Sequence, residues 1–237
     1  ALGLMIIGRE FRVMGGRWLR DQILSAAKFW DLMSVNRDIF IRTILLIFTF
    51  AYFTASAAKL GEDTLASVAV AMNFMHFLAF GLDGFAHAAE SLVGQAIGAR
   101  KTERLDHVVV SSTVLAASVA VLYAAVYGLF GTSIINLLTD IQEVRVVAYT
   151  YLPWLTVLPL FAVWSYQFDG IFIGAMKTKE MRNGMIIAFA SYFAAIEIFS
   201  DYFGADGLWI ALIIFMIARA VTLVAVYPRV RRAAMGT

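Results

Sequence analysis

The chain has no cysteine in 237 residues, which excludes a disulfide framework, a thiolate metal site and a cysteine nucleophile within it. It has three prolines and three histidines, too few for a proline-rich linker or a histidine-rich metal tract. Charge is also scarce: 15% of residues are Asp, Glu, Lys or Arg, where a soluble domain carries about a quarter. The net charge of +2 calls for no nucleic-acid partner.

Apolar residues are abundant. They make up 61% of the sequence, and the mean hydropathy is +0.79. A helix needs about 20 mostly apolar residues to cross a bilayer. Six runs qualify: Ile39–Ala58, Leu65–Ala86, Val108–Phe130, Val144–Tyr166, Met185–Phe199 and Leu208–Val226. They predict an all-α fold, a polytopic membrane protein built as a six-helix transmembrane bundle. The fifth run is short unless Met181–Gly184 join it. The second continues toward Gly98, too long for the hydrocarbon core alone, which predicts an inner end that projects into water.

The cations fall at every second gap. Arg9, Arg12, Arg17, Arg20, Lys28, Arg37 and Arg42 precede or just enter the first run. Arg100, Lys101 and Arg104 follow the second, Lys177, Lys179 and Arg182 the fourth, and Arg229, Arg231 and Arg232 the sixth. The opposite gaps hold only Lys59 and Arg145, and Arg219 lies inside a run. Basic loops stay in the cytoplasm. A multi-pass protein of the cell membrane (plasma or inner) is expected, with both ends of the six-span unit cytoplasmic. The loops near Gly61, Asp140 and Asp201 are expected outside.

Residues 1–36 read as the end of a preceding helix, Ala1–Gly8, followed by an amphipathic connector on the inner face. Residues 37–232 form the bundle and residues 233–237 a cytoplasmic tail. No internal repeat stands out. An initial Ala and an apolar scrap too short to span predict a piece of a longer protein.

Ionisable groups inside a bilayer are costly and are usually paired or functional. The second run carries Asn73, His76, Asp83, His87, Glu90 and Gln95. At about 100° per residue, His76, Asp83, His87 and Glu90 share one face, with Asn73 at its margin. This stripe is expected to face the bundle interior or a water-filled cavity. Three readings stand. It is a substrate or proton pathway in which Asp83 and Glu90 change protonation, a set of interhelical hydrogen bonds, or a metal site. The metal reading lacks a second ligand helix, since His107 is the only other histidine. No metal and no organic cofactor are expected. Asp169 ends the fourth run and Arg219 lies in the sixth, at a depth similar to Glu90. Arg219 is therefore expected to neutralise Asp169 or Glu90.

Pro153 and Pro159 both fall in the fourth run and predict helix kinks. Aromatics surround them. Tyr149 and Tyr151 read as an interfacial belt, and the rest are open to a role as a wall for organic cations. Gly94 and Gly98 are spaced for close helix contact.

Asp83-Gly84-Phe85-Ala86-His87-Ala88-Ala89-Glu90-Ser91-Leu92-Val93-Gly94-Gln95-Ala96-Ile97-Gly98-Ala99-Arg100 resembles the eighth-helix signature of the multidrug and toxic compound extrusion (MATE) transporters, DinF-type branch. The stretch from Phe168 through Gly174 to Asn183 resembles that branch's tenth helix and following loop, and Asn36–Thr43 resembles the start of its seventh. The resemblance covers nearly the whole chain. It implies the C-terminal lobe, helices seven to twelve, of a twelve-helix antiporter that works by alternating access. Cationic, amphipathic drugs would leave in exchange for protons or sodium. The partners implied are small organic cations, the lipid bilayer and an N-terminal lobe. The branch's best-known proton-binding Asp belongs to that other lobe, so no residue here inherits its role. Two readings compete: a lipid-linked-precursor flippase of the same superfamily, favoured by a cavity rich in cations, and a half-size protein that pairs with itself. A membrane-embedded enzyme would need ligands converging from several helices.

Overall fold

In hydrocarbon an unpaired peptide group is expensive, so an apolar run closes its backbone hydrogen bonds within itself as a helix. A computed structural model of the chain describes residues 26–235, and every regular element in them is helical. The order is α1 (Ala26–Lys59), α2 (Glu62–Gly98), α3 (Thr102–Leu138), α4 (Gln142–Gly174), α5 (Thr178–Phe203), α6 (Ala205–Val226) and α7 (Pro228–Met235). The first six supply six spans long and apolar enough to cross a membrane.

The helices outrun the apolar runs, because a helix ends where its caps lie and not where hydrophobicity stops. α2 continues to Gly98, and α5 takes in Met181–Gly184. α1 starts at Ala26, so the later part of the expected connector is continuous with the first span. Ala1–Gly8 and the rest of that connector lie outside the described residues. Residues 233–235 belong to α7, not to a tail. Contacts divide the chain into units of residues 1–37 and 38–237. The second unit holds everything discussed below.

α4 is the hub. It packs on α2, α3 and α6, while α5 packs on α6. Phe53, Phe74, Tyr192, Trp209 and Phe215 fill the main core. Polar side chains stitch it: Ser67 donates to the Val144 carbonyl at 2.9 Å and Tyr127 to the Phe74 carbonyl at 2.7 Å. Such bonds between membrane helices contribute about 1 kcal/mol each. Tyr151 is buried beside the Trp209 ring, centroids 5.5 Å apart, so it belongs to the core and not to an interfacial belt. α4 remains one helix through both Pro153 and Pro159.

α2 and α4 meet through glycine. A Cβ on Gly170 would collide with the Ala86 backbone, and one on Gly174 with the Glu90 backbone. The close contact therefore uses Gly170-x-x-x-Gly174 of α4. Of the pair expected from the sequence, Gly98 has open space around it, and only Gly94 approaches α4, at the Gly174 carbonyl.

The turns at the basic end contain a short repeat missed in the sequence. Gly98-Ala99-Arg100-Lys101-Thr102 and Gly174-Ala175-Met176-Lys177-Thr178 end α2 and α4 in the same way. Arg100 and Met176 take φ of 52° and 56°. The following amide bonds back five residues, Lys101 to Ala96 at 3.1 Å and Lys177 to Phe172 at 2.9 Å, which closes a Schellman cap. Glycine adopts this conformation without a Cβ penalty, so the exposed Met176 carries a cost of about 1 kcal/mol. Met176→Gly is expected to raise the melting temperature of the detergent-solubilised protein by about 2–4 °C. An unchanged or lower value would contradict the cost assigned to this turn.

Candidate functional site

Four helices bring charge to one buried point. Asp169, on the last turns of α4, is 7% exposed. Arg219 of α6 is 2% exposed and donates through Nη2 to Asp169 Oδ2 at 2.5 Å. Arg42 of α1 donates through its own Nη2 to the same oxygen. Asp83 of α2 is half-buried and interacts electrostatically with His87 of its own helix and, more weakly, with Arg42, Asp169 and Arg219. The two guanidinium groups are thus matched in formal charge by two carboxylates. Burying such ions is tolerable only because they neutralise one another and share hydrogen bonds.

Aromatic faces complete the shell. The Arg219 guanidinium lies 5.7 Å from the Tyr166 ring centroid and 5.5 Å from that of Phe215. Cation–π attraction is strongest where water is excluded, which suits this position. Satisfaction is still incomplete, since Nε of Arg42 and Nε of Arg219 are buried without a hydrogen-bond partner. An unspent buried donor costs about 1–3 kcal/mol.

Tyr166 also forms the floor of a cavity of about 480 Å³ between α1 and α2. Phe50 and Thr54 line one wall, Met72, Met75 and His76 the other. The cavity walls are therefore apolar and thioether apart from Thr54 and His76, and Tyr166 joins them to the charged cluster through its contact with Arg219. This composition suits a flat or amphipathic organic molecule with little hydrogen-bonding demand.

The stripe on α2 has a split fate. Asn73, His76, His87 and Gln95 are exposed, whereas Asp83 and Glu90 are half-buried. The stripe therefore lies along the open side of the bundle and not in its packed interior. Asn73 donates to the Ala69 carbonyl of its own helix at 3.0 Å. His87 Nδ1 lies 3.4 Å from Glu90 Oε2, one turn away. Gln95 donates to Ser91 and accepts from Arg104. Of the two acids weighed as partners for Arg219, Asp169 stands beside it, and Glu90 faces His87 instead. Among the described residues no three His, Asp or Glu side chains converge as a metal site.

Arg42 was missed as a site residue because it was counted with the orientation-setting cations. One signal separated it from them: it lies within the apolar run Ile39–Ala58, between Ile41 and Thr43. Arg182 was counted the same way, and it pairs with buried Asp38 at 2.7 Å. Both pairs tie the N-terminal part of the span in α1 to the bundle. Its C-terminal part is held by rings, Phe48 and Tyr52 against Phe193 and Phe53 against Trp209.

Comparison with known proteins adds four findings. The MatE family model matches residues 39–203. The chain is 38% identical over 231 residues to DNA damage-inducible protein F of Escherichia coli (strain K12), covering 96% of this chain and 50% of that protein. It is similar in structure to the Vibrio cholerae MATE transporter VcmN in the bent form, with TM-score 0.84 and 16% identity, over 98% of this chain and 54% of that one. It is also similar to an inward-facing multidrug resistance MATE family transporter of the MOP superfamily, with TM-score 0.73 and 20% identity, over 88% and 49% of the two chains. The structural likenesses carry the fold alone. The chain spans about half the length of the relatives it matches.

Proposed function

This chain belongs to the MatE family of membrane transporters, and on that premise we propose that it is the C-terminal lobe of a secondary active exporter of cationic, amphipathic organic compounds. Export runs by alternating access against a second lobe, in exchange for protons or sodium. Both ends of the six-span unit face the cytoplasm of a cell membrane, as the cation pattern argues.

The observation that carries the reading is the charged cluster of Arg42, Asp83, Asp169 and Arg219, joined to the cavity between α1 and α2 by Tyr166, whose ring faces the Arg219 guanidinium. A binding site that must load and unload needs groups that can change partners. Asp169 holds two guanidinium groups on one oxygen, and both keep an unspent Nε donor. A cation entering beside Tyr166 competes with Arg42 for Asp169. Asp83 and Glu90, half-buried on the open side, are the acids in reach of water and therefore of a coupling proton. Tyr166 and the methionines supply the apolar contact that an amphipathic drug requires.

A flippase of anionic lipid-linked precursors would want cations in excess. Here the buried cations are matched by carboxylates, which favours cationic cargo.

The deciding experiment uses the complete reading frame in proteoliposomes with a trapped pH dye. Drug-dependent proton movement is expected in the wild type. It should fall at least tenfold in Asp83→Asn and Asp169→Asn, and fall less in Glu90→Gln. Unchanged flux in all three variants would remove the chemistry from this lobe. Transport that requires sodium and moves no protons would fix the other coupling ion.

A further inference from the structure

The acidic part of the α2 stripe offers oxygen and nitrogen ligands that do not converge. Nearer the N-terminus of the same helix the ligand chemistry changes. Met72, Met75 and His76 stand at i, i+3 and i+4, and all three line the cavity between α1 and α2. They share a sector of about 100° around the helix axis, with Met72 in the middle. Side chains three and four apart on a helix have Cβ atoms about 5–6 Å from one another. The flexible methionine side chain can then bring its sulfur toward the imidazole.

Spacing alone does not make such a group. Met181 and Met185 lie one turn apart on α5, but they are 3% and 2% exposed, pack into the core, and share their helix with no histidine. Met72 is half-buried and His76 exposed, so their wall is one that an ion can reach. Among the described residues no side chain hydrogen-bonds to the His76 ring, which leaves its nitrogens available. Asn73, between the two methionines, donates to the Ala69 carbonyl of its own helix.

The rest of the cavity decides which ion. Its only other polar side chains are Thr54, which donates to the Phe50 carbonyl at 3.1 Å, and Tyr166. Hard divalent cations take six or more oxygen ligands, and two hydroxyls do not supply them. Zinc sites are built from thiolate, imidazole and carboxylate, and neither a cysteine nor a carboxylate lines this cavity. Two thioethers and one imidazole are soft, neutral ligands, and that set selects a soft monovalent metal.

We infer that this wall of the cavity binds a soft monovalent cation, Cu(I) or Ag(I), through the sulfurs of Met72 and Met75 and a ring nitrogen of His76. Three neutral ligands leave the ion its single positive charge. Asp83, on the same face about 10 Å further along α2, lowers the cost of that charge. Binding changes no oxidation state and needs no second reactant. It does not depend on drug export, and the proton-flux experiment scores that reading separately, so either can fail alone.

The test is anaerobic titration of the complete protein in detergent with Cu(I), held by a chromogenic chelator that reports what the protein takes up. The wild type is expected to bind one more Cu(I) than Met72→Leu/Met75→Leu, and X-ray absorption should show two sulfur neighbours and one nitrogen for that ion. Leucine keeps the volume of methionine, so the fold should survive the exchange. Met72→Leu, Met75→Leu and His76→Gln should each weaken binding by about tenfold or more, since even an outer-shell partner of a metal is worth that much. Met181→Leu, which removes a thioether from the core, should leave binding unchanged. Ag(I) should displace the ion and Zn(II) at the same concentration should not. Equal uptake by the wild type and Met72→Leu/Met75→Leu would overturn the inference, as would displacement by Zn(II) or the absence of sulfur neighbours.

Discussion

Asp169→Leu is expected to destabilise the protein by about 3–5 kcal/mol, the largest effect of any single side chain. The reason is what remains. Arg219 would keep a full charge with 3% of its side chain exposed and without the carboxylate it donates to. Arg42 would lose its partner too, but 17% of its side chain is exposed, and it can turn toward water. Adding Arg219→Met should therefore recover most of the loss, because two buried ions are then replaced by apolar groups of similar size. A simple exchange, Asp169→Arg with Arg219→Asp, should not recover it, since the new arginine would stand against Arg42. Unfolding in detergent, followed by tryptophan fluorescence with denaturant, reads all three variants. If Asp169→Leu cost less than about 1 kcal/mol, the cluster would contribute little to the fold. If Asp169→Leu/Arg219→Met were as unstable as Asp169→Leu, the stranded charge would not be the cause.

Gly174→Val should rank second, with a loss of about 2–3 kcal/mol or more. The added atoms would overlap the Glu90 backbone, which cannot rotate away as a side chain can. α2 and α4 would have to separate, which also moves Glu90 and loosens the cavity wall. Gly170→Val should behave alike against Ala86. Gly98→Ala supplies the contrast within the same helix pair. Nothing lies within 4 Å of its added carbon, so it should be neutral or stabilising by up to about 1 kcal/mol. Equal losses at Gly98 and Gly174 would show that backbone propensity, not helix contact, sets the cost.

These two predictions fall on opposite sides of what could be read in advance. Asp169 and Arg219 stood out in the sequence, because a charge in an apolar run is conspicuous on a linear plot and its depth follows from counting residues. Arg42 is as deep, but it stands next to a block of cations whose ordinary role is orientation, and that role concealed it. The α2 stripe was legible as one face of one helix. That its acids are half-buried while His87 and Gln95 are exposed was not legible, since periodicity orders residues around an axis without saying what stands opposite. Tyr151 shows the same gap: its position near the end of a span fits a belt, but the rotation of α4 carries it into the core beside Trp209.

By itself the sequence determined the number of spans, their rough limits, the alternation of charge across the gaps, and the helix that carries the polar stripe. Each of these depends on local composition and on the thickness of a bilayer, both one-dimensional quantities. The tertiary structure decided the rest: that Arg219 meets Asp169 and not Glu90, that Arg42 joins them, that Gly170 and Gly174 and not Gly98 make the close contact, and that Met72, Met75 and His76 line one cavity. Those outcomes depend on how each helix is rotated about its axis and which neighbour it touches. Packing of whole faces fixes that rotation, and no single segment contains the information.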